Sequence, residues 1–242
     1  MRPARLFSPL LALLLLAVPT VAVGAAPAAA AGATYSSEVT MAMPGLVVVD
    51  RAFVITGQVV VTGTGDPEDT GALSEAEVEL WRRWAGQERW VQVATATTTA
   101  DSTPSYTFRR TAERNAGWRV VYAGSEPDLL EDPFAPTVAG SESAREQRVM
   151  RDLNAGSVVE GGAVYLRGNV DPGWGERVVS LQRKTCGRCA WEVYDRQRTS
   201  GTGRFRFRTP APPDGSWFYR ARIPAAGWFT TSYSGVLRTW RS

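Results

Sequence analysis

The chain predicts an all-β architecture, two tandem β-sandwiches behind an N-terminal export signal, and three observations carry it. Short runs rich in Val, Thr, Phe, Tyr and Trp alternate apolar and polar positions, turn clusters bound each run, and no stretch sustains a helical period. The pattern occurs twice along the chain, and about seven short strands per copy, spaced roughly eight to twelve residues apart, is what a sandwich requires. Ahead of both copies stands a short basic head followed by a leucine-rich core.

Taken in order, residues 1–33 read as a signal peptide. Arg2 and Arg5 supply the basic head, residues 10–18 the apolar core, and AAPAAAAGA the small-residue cleavage region. The core is shorter than a membrane span requires, so removal after Ala31 or Ala33 is expected. No paired arginine precedes the core and no cysteine lies near the cleavage region, which points to general export without lipid attachment. The mature protein is expected outside the cell, in the medium or on the cell wall, and peripheral to a membrane at most.

The first sandwich is assigned to residues 34–146 and the second to residues 147–242. The first contains FVITGQV (53–59), VELWRR (78–83), ERWVQV (88–93), SYTF (105–108) and GWRVVY (117–122). The second answers with VYLRGNV (164–170), VSLQRK (179–184), CAWEVY (189–194), RFRF (204–207) and SWFYRA (216–221). Leu80 falls over Leu181 and Trp90 over Trp191, both at an offset of 101. Trp118 falls over Trp217 at 99 and Gly57 over Gly168 at 111, so the first copy carries ten extra residues (111 less 101) before its third strand. That insertion reads GTGDPEDTGA, which is turn chemistry. The segment AGSESARE, residues 139–146, is small and polar and is expected to link the copies.

The succession G-x-V, V-x-L-x-R, W-x-x-(V/Y), F-x-F and an aromatic-Arg strand resembles the immunoglobulin-like and transthyretin-like β-sandwich repeats of secreted proteins from GC-rich Gram-positive bacteria. LRGNVDPGWGERVVSLQRK and GRFRFRTPAPPDGSWFYRAR carry the likeness best. The resemblance implies two tandem immunoglobulin-like β-sandwiches in a secreted, cell-envelope setting. Members serve as adhesins, spacers, enzyme accessories and carbohydrate binders, so it implies no single activity.

The only cysteines, Cys186 and Cys189, stand in KTCGRCAW. The offset of 101 lays residues 186–189 over residues 85–88, between two strands in both copies, which makes the quartet a hairpin tip. The two ends of a β-turn lie within about 7 Å, a separation a disulfide spans. An exported protein also occupies the compartment where such a bond persists. Redox work would call for a lowered thiol pKa and a helix behind the motif, whereas strands flank this one. A metal site would need further soft ligands, and the chain has no histidine and no other cysteine. A local staple is expected.

The absence of histidine also removes Ser-His-Asp and Cys-His nucleophile arrangements. Lys184 is the one lysine. No carboxylate pair is singled out for acid–base work, so no catalytic residue, metal or cofactor is expected. The acidic stretches DPEDT (66–70) and EPDLLEDP (126–133) lack the spacing of a calcium loop.

Charge divides unevenly. Residues 33–146 hold 9 Arg against 17 Asp and Glu, a net of −8, whereas residues 147–242 hold 16 Arg and Lys against 7 acids, a net of +9. RFRFR should bury Phe205 and Phe207 and present Arg204, Arg206 and Arg208, and FYRAR puts Arg220 and Arg222 on one face. If those strands are neighbours, five guanidinium groups share one sheet surface, an unfavourable arrangement that an anionic partner would relieve. These five are the candidate polyanion-binding residues of a secreted, non-catalytic interaction module. Its partner would be an anionic cell-envelope polymer or protein; no nucleic-acid recognition motif is present.

Two other readings stand beside this one. Trp81, placed outward with Glu79 and Arg83, would serve as a sugar platform in a carbohydrate-binding accessory module. Alternatively, the acidic first copy docks on the basic second, and the chain is a structural spacer.

Overall fold

The computed structural model describes residues 34–63, 70–125 and 137–241; the expected export signal and the acidic stretches at 66–69 and 126–133 lie outside the described residues. Within them the first half contains β1 (Thr34–Val39), β2 (Leu46–Val48), β3 (Ala52–Gly57), β4 (Val59–Gly63), β5 (Thr70–Ala72), β6 (Glu77–Trp84), β7 (Val91–Thr97), β8 (Tyr106–Thr111), β9 (Ala116–Ser125) and β10 (Thr137–Met150). The second half contains β11 (Asp152–Glu160), β12 (Ala163–Asp171), β13 (Val178–Lys184), β14 (Glu192–Arg198), β15 (Arg204–Arg208), β16 (Ser216–Ile223), β17 (Ser232–Tyr233) and β18 (Leu237–Trp240). The fold is all-β, as the alternation requires.

In the second half β11-β12-β15 form one sheet and β14-β13-β16-β17 the other, with β18 also paired to β16. First, second and fifth strands against fourth, third, sixth and last is the immunoglobulin-like order, with the fourth strand carried on the second sheet. The first half repeats it: β3 pairs β8, and β7-β6-β9-β10 face them, extended by β1, β4 and β5. Each half closes on its own buried cluster. Phe53, Ile55, Tyr106 and Phe108 pack against Val78, Leu80, Trp118 and Val120 in the first. Leu166, Phe205 and Phe207 pack against Leu181, Tyr219, Ala221 and Ile223 in the second.

The ladders reproduce the internal repeat. Ile55 faces Phe108 as Leu166 faces Phe207, and each third strand bulges at the same place, after Leu80 and after Leu181. Gly57 and Gly168 also coincide. A Cβ at either would collide with a backbone carbonyl, Thr40 O in one half and Asn154 O in the other, so only glycine lets the strands approach. One match shifts. Arg82 faces Trp118 and Arg183 faces Tyr219, which lays Trp118 over Tyr219 rather than over Trp217. A slip of two residues keeps a side chain on the same face, so the aromatic spacing alone could not reveal it.

The ten-residue insertion is not turn throughout. Its last three residues form β5, which pairs with the β4 residues just ahead of the insertion: Val61 faces Gly71 and Thr62 faces Thr70. The expected linker, residues 139–146, lies inside β10, where Glu142 faces Val121 and Glu146 faces Gly117 of β9. Small polar residues suit a sheet's outer face as well as a linker, and here long-range pairing decided between them. The first cluster reaches Val149 and the second begins at Leu153, so the passage between cores falls at Met150–Asp152 and not at residue 146.

Residues Gly32–Ser242 make one compact unit. Its halves meet through residues 226–230. Thr230 N–H donates to Val149 O at 2.9 Å, Asn115 N–H donates to Trp228 O at 2.9 Å, and Phe229 packs on the first cluster. Arg151, 6 % exposed, lies over the Phe229 ring at 4.3 Å and donates from Nε to Pro172 O at 3.0 Å.

Candidate functional site

Phe205 and Phe207 are buried, and Arg204, Arg206 and Arg208 alternate outward from them along β15, as the strand period dictates. The five arginines nevertheless do not share a surface. β15 pairs with β12, whereas β16, which carries Arg220 and Arg222, pairs with β13 in the other sheet. The connection between β15 and β16 crosses the sandwich, so neighbours in sequence end on opposite outer faces. On the β15 side Arg167, Arg198, Arg204 and Arg206 border an open cleft of about 630 Å³. Part of its charge is already met: Glu160 reaches Arg206 at 2.6 Å and Arg167 at 3.8 Å.

The other outer face is different. Val179, Leu181, Tyr219, Ala221, Ile223 and Thr239 point into the core, so the alternate residues of β13, β16 and β18 point out. From one end to the other, rings and cations interleave. Arg238 lies 5.9 Å from the Trp240 ring and 5.9 Å from the Phe218 ring. Lys184 follows, 5.2 Å from Phe218 and 5.2 Å from Trp191. Arg220 then lies between Trp191 at 4.2 Å and Tyr233 at 4.1 Å, with its Nε donating to Gln182 Oε1 at 2.9 Å. Burial holds the Arg220 guanidinium below its ordinary pKa; Tyr233 opposes that shift and Arg222 adds to it.

Among the described residues no carboxylate pairs with this row. The two acids of β14, Glu192 and Asp195, face Arg183 and Leu181, on the parity of the core side. The ion pairs among the described residues all lie elsewhere. Arg196 faces Ser180 across the ladder, and Ser180 faces Arg222, which adds two cations to the same face.

The first half carries the same device. Arg83 and Arg119 each lie 4.8 Å from Trp90, and adding 101 to those three numbers gives Lys184, Arg220 and Trp191. Here the cations are paired: Arg83 with Glu146 at 2.8 Å and Arg119 with Glu142 at 3.2 Å. Trp81 belongs to this cluster. It is half-buried, its Nε1 donates to Glu79 Oε2 at 2.8 Å, and Arg119 lies 5.5 Å from its ring. Trp81 is therefore not the open platform expected of a sugar site, because the sheet closes Glu79 and Arg119 around it. Trp240, 63 % exposed, is the more open of the two exposed indoles among the described residues, the other being Trp228. Sequence reasoning matched Trp191 to Trp90 but placed neither it nor Tyr233, Arg238 and Trp240 in a site, although extending the 101 offset to Arg83 and Arg119 gives Lys184 and Arg220.

Cys186 and Cys189 form the expected disulfide, with Cα atoms 5.1 Å apart and the Cys189 N–H donating to Cys186 O at 3.3 Å. The equivalent turn of the first half is closed by Gln87 N–H on Trp84 O, one residue earlier than the 101 offset places it. Among the described residues no group of acidic, cysteine or histidine side chains gathers as a metal site requires.

No protein-family model matches the chain, and no curated protein sequence matches it. Among solved structures it is similar to the human OSCAR ligand-binding domain (17 % identity, 84 % of this chain and 97 % of that one, TM-score 0.28). It is also similar to the D0-D1 domain of intimin (11 % identity, 85 % and 97 %, TM-score 0.30). A third likeness is to the superoxide reductase neelaredoxin from Ignicoccus hospitalis (15 % identity, 46 % and 80 %, TM-score 0.30). At such TM-scores these likenesses decide nothing about function.

Proposed function

We propose that the chain is an exported, non-catalytic binding module of the cell envelope or medium whose second half engages an anionic partner. The observation that carries this reading is the outer face of β13, β14, β16 and β18. It presents Lys184, Arg196, Arg220, Arg222 and Arg238 without one carboxylate among its outward strand residues. Like charges gathered on one sheet are unfavourable, and a partner of opposite sign removes that cost while raising the rate of encounter. The β15 side is the weaker candidate, because Glu160 already serves two of its arginines. Docking of the acidic half on the basic half has no support among the described ion pairs, each of which stays within one half.

Co-sedimentation of the mature chain with purified cell walls, at low and high salt, tests the proposal. Binding should weaken steeply with salt, since exposed charges are screened within about 10 Å at 0.1 M. Arg222→Glu should abolish it and Arg206→Glu should not. Binding indifferent to salt would sink the anionic partner.

A further inference from the structure

The two halves carry the same cation–Trp–cation arrangement, and among the described residues only the first is supplied with counter-charges. The ladders show what replaces those counter-charges in the second half. Glu142 faces Val121 of β9, and Tyr233 faces Arg222 of β16. Glu146 faces Gly117, and Arg238 faces Phe218. Glu79 faces Val121 from the other side, as Ser180 faces Arg222. Residues 121 and 222, like 117 and 218, differ by 101, so these are equivalent positions. Three carboxylates have become Ser180, Tyr233 and Arg238.

The first half thus displays the chemistry that the arrangement accepts. Its two cations flanking an indole each take one carboxylate, from acids four residues apart on one strand, or about 13 Å along it. In the second half the cations are in place, and among the described residues no acid stands at the equivalent strand positions. Resting on the anion-binding reading above, we infer that this face docks a carboxylate-bearing polysaccharide, a polyuronate, whose acid groups take the parts that Glu142 and Glu146 play in the first half.

The rings select the sugar. Tyr233 is 41 % exposed and Trp240 63 % exposed, and they stand at the two ends of the row. A pyranose has an apolar C–H face to lay on an aromatic ring, whereas a polyphosphate has none. An acidic peptide would bring backbone groups that need partners, and the row crosses β13 and β16, whose edges are already paired on both sides. The stacked guanidinium groups are also held at the edge, Arg220 by Nε on Gln182 and Arg238 by Nε and Nη2 on Ser216, so they lose little freedom when a carboxylate takes the remaining N–H groups.

The test is calorimetric titration of the mature chain with polygalacturonate, neutral dextran and inorganic polyphosphate. Polygalacturonate should bind in a salt-sensitive way, dextran should not, and polyphosphate should bind more weakly. The double variant Tyr233→Glu, Arg238→Glu restores the pattern of the first half. It should fold with new ion pairs to Arg220 and Lys184 and lose polygalacturonate binding. Lys184→Gln, which introduces no new charge, should weaken binding roughly tenfold, the loss of one charged contact. Arg204→Gln, on the opposite face, should leave binding unchanged.

Polyphosphate binding as tight as polygalacturonate would overturn the polysaccharide while leaving the anionic partner standing. Loss of binding in Arg204→Gln but not in Lys184→Gln would move the anion to the β15 cleft and overturn this face. Association of the chain with itself at low salt, abolished by the double variant, would make a second copy the occupant. No binding to any probe would remove both this inference and the reading it rests on.

Discussion

Tyr106 and Tyr219 occupy the centres of the two cores, both fully buried. Each phenol finds one backbone partner: Tyr106 donates to Thr40 O, and Tyr219 donates to Pro210 O at 2.9 Å. Burial disfavours the phenolate, so the Tyr219 pKa is pushed up to about 12, with Arg183 pulling the other way, and that of Tyr106 is pushed up further. A folded-state pKa above the unfolded value of about 10 means stability that is complete below pH 10 and lost as pH rises through the folded value. Unfolding free energy should therefore hold steady up to about pH 9 and fall between about 10 and 12. Absorbance of phenolate should show these two rings titrating only with unfolding; early titration of both would contradict their burial. Gly57 and Gly168 make a second residue-scale case. Alanine at either should cost roughly 2–4 kcal/mol in denaturant unfolding, because the obstacle is backbone carbonyl and cannot swing aside. The sequence match between these two glycines was legible, whereas the atoms that require them come from other strands.

At the scale of elements, the hairpin tip at residues 186–189 shows how little a staple need do. The first half closes the same turn without cysteine. A loop this short constrains the unfolded chain weakly, so Cys186→Ser with Cys189→Ser should lower stability by about 2 kcal/mol at most. Thermal unfolding with and without reductant measures that; loss of the fold would mean the bond organises more than its own turn. The strand β10 shows the opposite limit of legibility. Residues 139–146 read as polar filler, yet Glu142 and Glu146 neutralise Arg119 and Arg83. A strand's outer face and a linker draw on the same small and charged residues, and only the pairing partner tells them apart.

At the scale of the whole molecule, the seam between the halves is built, among the described residues, from aromatic contact and backbone hydrogen bonds and not from ion pairs. Trp228 lies against Arg114 at 5.1 Å, and Phe229 reaches the first cluster from a loop of the second. Phe229→Ala should cost roughly 2 kcal/mol, below the figure for a fully buried ring. It should also divide one calorimetric transition into two as the cores uncouple. A single unchanged transition in the variant would place the coupling elsewhere, with Arg151 the next residue to examine. The acid excess of the first half has a related explanation. Seven of its acids (Asp66, Glu68, Asp69, Glu126, Asp128, Glu131, Asp132) lie outside the described residues, which leaves 10 acids against 9 Arg in the part described, a nearly balanced set.

Strand periodicity, the twofold repeat, the disulfide at the hairpin tip and the outward set of RFRFR were all determined by the sequence itself. Each depends on neighbours along one strand or on a copy at a fixed offset, and local alternation records both. Which strands share a sheet was decided by the tertiary structure alone. That choice sent Arg204 and Arg220 to opposite faces, closed Glu79 and Arg119 around Trp81, and set Tyr233 and Arg238 where the first half has Glu142 and Glu146. The physical reason is that an outward side chain's surroundings come from the adjacent strand, and adjacency between strands distant in the chain leaves no mark in the residues of either strand taken singly.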